Sequence, residues 1–434
     1  MKQAQKWEEI SLGEICEITT GKYDANHAKT QGKYRFYTCA FEFMRCDTNR
    51  FKGECLILPG NGANVGEVFY YNGEFDAYQR TYVLINIKIV PKYLFYHLKF
   101  KWKNINSDKQ FGSATNYIRM GNFTDYIIPL PPLAEQHRIV AKIEELFSEL
   151  DKGIESLKTA QQQLKVYRQA VLKYAFEGKL TNPDVKDGEL PEGWASLKSG
   201  DIMDFINSGS TPASEFLSDN SGDIPFLKVY NLNFDGTLNH TKNPVFVQKS
   251  IHENKMKRSK CIPNDVLINI VGPPLGKVSI VSKHYPEWNI NQAIVAFRPN
   301  AKILCKFLSY HLQNQVTIQW LENTSKATAG QWNVKVSTCR EIPLNVPIQI
   351  DEQERVVQEI ESRLSVCDKI EESIEQGLQQ AEALRQSILK KAFEGKLVPQ
   401  DPNDEPASVL LERIKAERAE AQPEKKTKTK KVRA

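Results

Sequence analysis

The hexapeptide "AFEGKL" stands at residues 175–180 and again, letter for letter, at residues 392–397. The two copies lie 217 residues apart, which is half of a 434-residue chain. A repeat at that distance indicates that a large part of the chain is duplicated. The sequence around each copy therefore defines the repeat unit.

The repeat extends well beyond the hexapeptide. When residues 135–180 are placed on residues 352–397 without a gap, 23 of the 46 positions are identical. Apolar residues return every three or four positions in both copies, which predicts an α-helix with a coiled-coil seam. At about 1.5 Å per residue, each helix would be roughly 65 Å long. Prolines precede both helices, and Gly178 and Gly395 stand where a left-handed cap is expected.

The rest of the chain forms two blocks, 1–134 and 181–351, followed by a C-terminal segment, 398–434. Both blocks contain short runs of β-branched and aromatic residues separated by Gly, Pro and Asn, which are typical of strands and turns. Each opens with Trp, five residues, and then Gly, an acidic residue and Ile, from Trp7 and from Trp194. We therefore predict a mixed α/β fold in which two globular domains alternate with two long helices.

Composition and charge narrow the class of protein. The net charge is +5, yet the last ten residues alone contain six cations, so we expect a basic and disordered tail. The eight cysteines are scattered without a CxxC pair, which favours free thiols and argues against zinc. There is no apolar run of about 20 residues and no signal-peptide pattern, so a cytoplasmic protein is expected.

The usual catalytic patterns are missing from the sequence. "GPPLGKV" (272–278) is one residue short of a P-loop and has Val278 where Ser or Thr should hold magnesium. "GNGANVGE" (60–67) follows a strand into another strand, so no helix N-terminus faces a phosphate. His97 and His311 occupy matching places in two short predicted helices, which favours a structural role. We expect no catalytic and no metal-binding residue.

The predicted loops are instead rich in amide, cationic and aromatic side chains. Arg, Asn and Gln can form paired hydrogen bonds with base edges, and Lys can hold phosphates. The candidates are Asn61, Asn64, Tyr78, Gln79, Arg80, Asn116, Tyr117 and Arg119 in the first block, and Lys228, Tyr230, Asn231, Asn233, Lys277, Asn291, Gln292, Gln331 and Trp332 in the second. Each could equally be a solvated loop residue, and only their arrangement in two parallel blocks favours a nucleic-acid interface.

The layout resembles the specificity subunit of a type I restriction-modification enzyme. The resemblance rests on "PLPPLAEQHRIV" (129–140) and "DEQERVV" (351–357) at the helix starts, and on the two "AFEGKL" copies at the helix ends. It covers nearly the whole chain. The second helix entry, "PLNVPIQIDEQ" (343–353), departs from the first by a short insertion.

This resemblance implies a division of labour. Each block would be a target recognition domain that binds one half of a bipartite, asymmetric site in double-stranded DNA. The helices would pack as an antiparallel pair related by a pseudo-two-fold duplication, and would set the spacer between the half-sites. Two methyltransferase subunits, which use S-adenosylmethionine, and motor-nuclease restriction subunits would be partners, and this chain would hold no cofactor. The implied partner-binding residues are Glu135, Gln136, Phe176, Glu352, Gln353 and Phe393.

Two other functions stay open at this point. A non-enzymatic scaffold or adaptor of coiled-coil type would explain the long helices but would leave the loop-rich blocks without a role. A stand-alone nuclease or methyltransferase would need a catalytic site dispersed over the sequence. Binding to random DNA duplexes separates the first from a specificity subunit, and activity of the purified chain alone separates the second.

Overall fold

The computed structural model describes residues 7–106, 116–241, 243–328 and 331–421. The chain divides into two compact units. The first unit is Met1–Leu157 with Gln376–Ala434, and the second is Lys158–Glu375. Each unit therefore contains one globular block, the start of one long helix and the end of the other.

In its described residues, the first unit contains three small sheets. Their strands, in spatial order, are Glu17–Thr20, Thr81–Ile85, Glu54–Pro59 and Phe69–Asn72 in an antiparallel sheet; Met44–Cys46, Tyr34–Tyr37 and Phe75–Ala77 in a mixed sheet; and Glu8–Ser11 with Ile127–Leu130. Its shorter helices are Leu12–Ile15, Pro91–Asn106 and Met120–Thr124, with a 3₁₀ turn at Ala25–His27. Leu94, Leu98 and Trp102 of helix Pro91–Asn106 are buried together with Leu56 and Leu84 of the first sheet.

The second unit repeats this topology and adds strands to it. Its strands, in spatial order, are Met203–Ser208, Ile294–Pro299, Val266–Asn269 and Val278–Ile280; Leu217–Asp219, Val245–Val247, Ile224–Leu227, Trp288–Ile290 and Lys260–Cys261; Val271–Gly272, Gln331–Asn333 and Lys326–Thr328; and Trp194–Lys198 with Pro343–Pro347. Its shorter helices are Lys249–Glu253, Cys305–Gln313, Gln315–Thr324 and Val336–Arg340, with 3₁₀ turns at Ser199–Asp201, Ser214–Phe216, Val229–Asn231 and Lys257–Ser259.

The central strands of the two four-stranded sheets consist of side chains that are suited to burial between layers. All but the first residue of strand Glu54–Pro59 are buried, as are all four residues of strand Val266–Asn269. Each of these two strands lies between two antiparallel neighbours in its four-stranded sheet. The mixed α/β class expected from the sequence is confirmed, and so is its repetition in two blocks.

Two helices of 44 residues dominate the rest of the chain, at Leu133–Phe176 and Ile350–Phe393. Each ends where the repeated hexapeptide introduces its glycine. Gly178 has φ +76° and Gly395 has φ +70°, the left-handed conformation that glycine adopts without steric cost. The amides of Lys179 and Lys396 then donate to the carbonyls of Tyr174 and Lys391, which closes both helix ends. The predicted glycine caps are thus confirmed, and the last four residues of each hexapeptide belong to the cap rather than to the helix.

Within each unit the two long helices contact one another. In the first unit, Arg385 forms an ion pair with Asp151, and a Cβ placed on Gly377 would lie 3.2 Å from a methyl carbon of Leu157. In the second unit, Nη2 of Arg168 lies 2.6 Å from Oδ1 of Asp368. The buried helix positions also repeat at the 217-residue offset: they are Ile139, Val140, Ile143, Ile388, Leu389 and Ala392 in the first unit, and Val356, Val357, Ile360, Val171, Leu172 and Ala175 in the second.

A further helix, Ala407–Ala421, packs within the first unit and has no counterpart among the helices predicted from the sequence. Its Leu410 and Ile414 join the first core, and the buried carboxylate of Asp404, just before it, binds Arg138. All eight cysteines are free, as predicted. In the described part of the chain, no helix has the length and apolar character needed to cross a membrane. The expected basic tail lies outside the described residues.

Candidate nucleic-acid interface

Three separate segments of the first block come together around one cleft. The amide of Gly62 donates to the carbonyl of Asn116 at 2.8 Å, and the amide of Gly60 donates to the carbonyl of Arg80 at 3.0 Å. The cleft has a volume of about 340 Å³ and is lined by Thr20, Gly60, Asn61, Gln79, Arg80, Tyr82, Tyr117 and Ile118. Asn61, Gln79, Arg80 and Tyr117 are all among the residues selected from the sequence.

The turn at 78–80 is held by main-chain contacts. The amide of Tyr78 donates to the carbonyl of Tyr37 at 2.9 Å, and the amide of Gln79 donates to the carbonyl of Tyr23 at 2.9 Å. Gly21 lies so close behind the turn that a Cβ there would be 1.7 Å from the carbonyl oxygen of Ala77. The backbone of the turn is therefore fixed without its side chains, and those of Gln79 and Arg80 are exposed.

The second block contains an equivalent turn at 291–293. Four main-chain hydrogen bonds hold this turn. The amide of Asn291 donates to the carbonyl of Leu227 at 3.0 Å, and the amide of Ile270 donates to that of Ala293 at 2.8 Å. The amide of Val334 donates to the carbonyl of Ile270 at 2.9 Å, and the amide of Gly209 donates to that of Ile294 at 3.1 Å. The first block has the same set, from Tyr78 to Tyr37, Gly60 to Arg80, Ile118 to Gly60 and Gly21 to Thr81. A Cβ on Gly209 would lie 1.9 Å from the carbonyl oxygen of Ile290, just as a Cβ on Gly21 would lie 1.7 Å from that of Ala77.

The two turns share a backbone but differ in their side chains. Their equivalence pairs Tyr78 with Asn291, Gln79 with Gln292 and Arg80 with Ala293. One position of three thus keeps its side chain. A fixed backbone with exchangeable side chains presents different hydrogen-bonding groups from the same scaffold, which is what two different recognition surfaces require.

The other candidates in the first block lie at the same cleft or beside it. Asn116 is exposed, and Asn64 donates its amide to the carbonyl of Cys39 at 2.9 Å. Nη2 of Arg119 donates to the hydroxyl of Tyr117 at 3.2 Å, and its guanidinium lies 5.7 Å from the centre of that ring. Tyr117 therefore orients Arg119, while Asn64 contributes to the loop's own structure.

The other candidates in the second block divide into loop-holding and accessible side chains. Asn231 is 1% exposed; its Oδ1 accepts from the amide of Lys228, and its Nδ2 donates to the carbonyl of Asn239. Contact between that amide group and DNA would require the loop to rearrange. Nδ2 of Asn233 donates to the hydroxyl of Thr237 at 2.9 Å. The hydroxyl of Thr211 donates to Oε1 of Gln292.

Three further candidates in this block are cationic or aromatic. The ammonium of Lys277 lies 5.7 Å from the ring of Phe234, and the exposed Tyr230 donates its hydroxyl to the carbonyl of Asn243. Trp332 is half-buried against the second core. The side chain of Gln331 lies outside the described part of the structure. For all of these residues, as for those of the first block, contact with DNA stays a prediction.

The loop 39–45 also presents aromatic side chains beside a cation, and none of its residues is among the candidates predicted from the sequence. Phe41 is 68% exposed, and the guanidinium of Arg35 lies 4.3 Å from the rings of both Phe43 and Tyr71. The thiol of Cys39 donates to the carbonyl of Arg80 at 3.5 Å, so this loop adjoins the turn at 78–80. Two phenylalanines beside a cation in "AFEFMR" (40–45) were the available pattern, since exposed aromatics next to cations suit stacking on bases.

The glutamines at the helix starts hold each helix to its block. Oε1 of Gln136 accepts from the amide of Val90 at 3.0 Å, and Oε1 of Gln353 accepts from the amide of Leu304 at 2.9 Å. Both side chains are fully buried. The structure thus gives the two repeated glutamines a role inside the chain, and their contact with a partner stays a prediction.

The glutamates beside them are also engaged within the chain. Oε1 of Glu135 accepts from the indole of Trp7 at 3.2 Å, and Oε1 of Glu352 accepts from the hydroxyl of Thr181 at 2.7 Å. Burial raises the pKa of the Glu135 carboxyl above its ordinary value, although the hydrogen bond from Trp7 opposes the shift. Glu352 also pairs with the exposed Arg355. Its side chain is 13% exposed, whereas Glu135 is 1% exposed, so this helix start is the more accessible of the two.

The phenylalanines of the two hexapeptides pack on the short helices of the blocks. Phe393 contacts His97 with ring centroids 4.8 Å apart, and Phe176 contacts His311 at 4.4 Å. Burial lowers the pKa of His97 to about 3 and that of His311 to about 4, so both imidazoles are neutral in the folded protein. The predicted structural role of both histidines agrees with this burial.

One cluster in the described part of the chain could place three ligand atoms around a metal ion. It consists of His252, Glu253 and Glu287, whose ligand atoms lie within 4.8 Å of one another. The ammonium of Lys260 already lies 2.6 Å from Oε2 of Glu253 and 3.6 Å from Oε1 of Glu287. Nδ1 of His252 faces the Nδ2 group of Asn289 at 2.9 Å. These contacts make the cluster an ion-pair network with its cation supplied by lysine.

The family of type I restriction modification DNA specificity domains matches residues 4–165 and 191–380. The chain belongs to this family. Each matched range contains most of one globular block, with its turn, and most of one long helix. The resemblance inferred from the helix starts and ends is confirmed, and with it the general role in DNA sequence specificity.

Curated members of the family are similar over most of the chain. The type I restriction enzyme EcoDI specificity subunit of Escherichia coli is 30% identical, and the alignment covers 95% of each chain. The EcoBI specificity subunit of the same species is 32% identical over 76% of this chain and 72% of that relative. Among solved structures, a chain of a type I R-M system covers 92% of this chain and all of its own length with a TM-score of 0.70 and 18% identity.

The HsdS subunit from Thermoanaerobacter tengcongensis has a TM-score of 0.53 at 19% identity, and the match covers 90% of this chain and 97% of that one. At such identities the two solved structures support the fold, and the specific contacts of this family member must come from its own residues. The equivalent turns at 78–80 and 291–293, with their matching main-chain hydrogen bonds, are a feature that its two blocks have in common.

Proposed function

We propose that this chain is the non-catalytic subunit that sets the DNA sequence specificity of a type I restriction-modification complex. The block 1–134 contacts one half of a bipartite site in double-stranded DNA, and the block 181–351 contacts the other half. The observation that carries this proposal is the pair of equivalent turns, which have the same backbone hydrogen bonds and differ in side chain at two of their three positions. Different side chains on the same scaffold give an asymmetric site.

The long helices set the gap between the two half-sites in this proposal. They pack as an antiparallel coiled coil, which is supported in the first unit by the contacts of Asp151 with Arg385 and of Leu157 with Gly377. As the residue number rises from 151 to 157 along the first helix, the number of its partner on the second helix falls from 385 to 377, so the two helices are antiparallel there. A helix of 44 residues is about 66 Å long, close to two turns of B-DNA at roughly 34 Å each.

The partners follow from the duplication. Two copies of one methyltransferase subunit, which brings S-adenosylmethionine, bind the two similar ends of this chain, and restriction subunits complete the complex. A chain with an internal pseudo-two-fold repeat offers two similar docking surfaces, which supports two copies of the same partner. The predicted docking residues Glu135, Gln136, Glu352, Gln353, Phe176 and Phe393 shape these ends largely from inside, so we propose that the partner contacts their exposed neighbours.

Selection from a random pool of DNA duplexes tests this function. The full-length chain, bound together with its methyltransferase subunits, should enrich a bipartite sequence with two fixed parts and an unspecified gap. Affinity should fall steeply with salt because phosphate contacts release counterions, whereas the enriched sequence should stay the same. A coiled-coil scaffold or adaptor, the alternative function, predicts no enriched sequence at any salt concentration.

A further inference from the structure

The two equivalent turns share one exposed side chain, and that identity suggests a base common to both half-sites. Gln79 and Gln292 occupy the same position between two residues that differ, and both side chains are exposed. The glycines behind the turns, Gly21 and Gly209, leave no room for a Cβ, so both backbones are pressed into the same conformation. The two amide groups therefore start from equivalent backbone positions.

The glutamine amide has the hydrogen-bonding pattern that matches adenine. Its oxygen accepts one hydrogen bond and its NH₂ group donates, which complements the N6 amino group and N7 of adenine in the major groove. In the second block, the hydroxyl of Thr211 donates to Oε1 of Gln292. This bond orients the amide and leaves one lone pair of Oε1 and both N–H groups available. A guanine presents two acceptors at the same edge and cannot satisfy that oxygen.

We propose that Gln79 and Gln292 are specificity-determining residues that each recognise an adenine in the half-site of their own block. This inference rests on the proposed function and names a base for each of its two surfaces. The flanking residues then make the half-sites different. Arg80 follows Gln79 and provides a guanidinium for a guanine or a phosphate, whereas Ala293 follows Gln292 and offers only a methyl group.

Selection from random duplexes with single variants tests this assignment. The full-length chain with its methyltransferase subunits is compared with Q79A and Q292A, and with Q162A as a matched control, since Gln162 is an exposed glutamine of the first long helix outside both blocks. We expect Q79A to relax one A·T position of one half-site and Q292A to relax one A·T position of the other. Discrimination against the wrong base at that position should fall by about 5- to 150-fold, the range for one bidentate pair.

The possible outcomes separate this inference from the proposed function. If the unchanged chain enriches a bipartite site but the alanine variants keep every base preference, or relax a position that is not A·T, the adenine assignment is wrong and the function stands. A uniform loss of affinity without a change in preference also overturns the assignment, because it marks a phosphate contact. If the unchanged chain enriches no sequence, both proposals fail. Q79E keeps the size of the side chain, so it should replace the A·T preference at that position with a different base preference. Such a change would show that the variant block is folded.

Discussion

A Cβ placed on Gly21 would lie 1.7 Å from the carbonyl oxygen of Ala77, a distance that no side chain tolerates. The second block repeats this close approach between Gly209 and Ile290 at 1.9 Å. In both cases the carbonyl belongs to the strand that leads into the candidate recognition turn. The glycines thus set how closely two strands approach and, through them, where the turn lies.

Replacing Gly21 with alanine should displace the turn at 78–80. We expect G21A to cost about 1–3 kcal/mol of stability, the usual cost of forcing extra atoms into a packed site. The base preferences of one half-site should weaken while those of the other are kept. Gly121 provides the control, because a Cβ there meets no atom within 4 Å. Thermal unfolding and duplex selection measure both effects, and equal behaviour of G21A and G121A would contradict the role given to Gly21.

The contacts between the long helices should depend on apolar packing more than on ion pairs. Arg168 and Asp368 lie 2.6 Å apart, but the Asp368 side chain is 69% exposed, so D368A should cost no more than about 1 kcal/mol. Ile360 is fully buried, and I360A should cost about 2–5 kcal/mol. Denaturant unfolding of the two variants provides the comparison. A larger loss for D368A than for I360A would show that the ion pair contributes more to stability than apolar burial on this helix.

Acid should destabilise the protein through His97 and His311. Their folded pKa values, about 3 and about 4, lie below the value near 6.5 of an unfolded histidine, so the unfolded chain binds more protons. The stability that each provides is complete above about pH 6.5 and is lost as the pH falls towards the folded pKa. Between pH 7 and pH 5 the loss should be about 2 kcal/mol for each histidine.

Unfolding of variants at the two pH values checks this account. H311Q can keep a hydrogen bond to the amide of Asn345 but cannot take up a proton, so its stability should fall less between pH 7 and pH 5. H137Q is the matched control because His137 is exposed on the first long helix. If H137Q reduces the pH dependence as much as H311Q does, the buried imidazoles are not its source.

Lengthening both long helices should change the spacer of the DNA site. Insertion of one heptad after residue 157 and one after residue 375, at the limits of the two units, adds seven residues or about 10.5 Å to each helix. The gap between half-sites should grow by about three base pairs, and the half-site sequences should not change. Methylome sequencing of a host that carries the variant measures both properties, and altered half-sites with an unchanged gap would refute the spacer role.

The repeat made much of the architecture predictable. Identical glycines after two helices of the same pattern could be assigned to caps, because a positive φ is costly for other residues. The amide and cationic side chains of the loops could be selected by type. Their convergence could not, since the contact between Gly60 and Ile118 joins residues far apart in sequence and depends on how the strands pair.

Some side-chain roles within the protein could not be predicted from the sequence for a related reason. Gln136 and Gln353 repeat with the helices, and the sequence alone does not reveal whether a repeated polar residue faces a partner or the protein's own backbone. The burial of both side chains decides for the backbone. Helix Ala407–Ala421 is hard to predict because it stands beside the basic tail, and because few apolar side chains, such as Leu410 and Ile414, pack it against the rest of the first unit.

The independence of the two blocks is the central claim, and exchange of one block tests it most directly. Residues 1–134 are replaced by the corresponding block of a relative with a different target, and the host methylome is sequenced with the same methyltransferase subunits present. We predict that one half-site changes to the relative's sequence, while the other half-site and the gap are unchanged. A change in both half-sites, or in neither, would contradict the assignment of one half-site to each block.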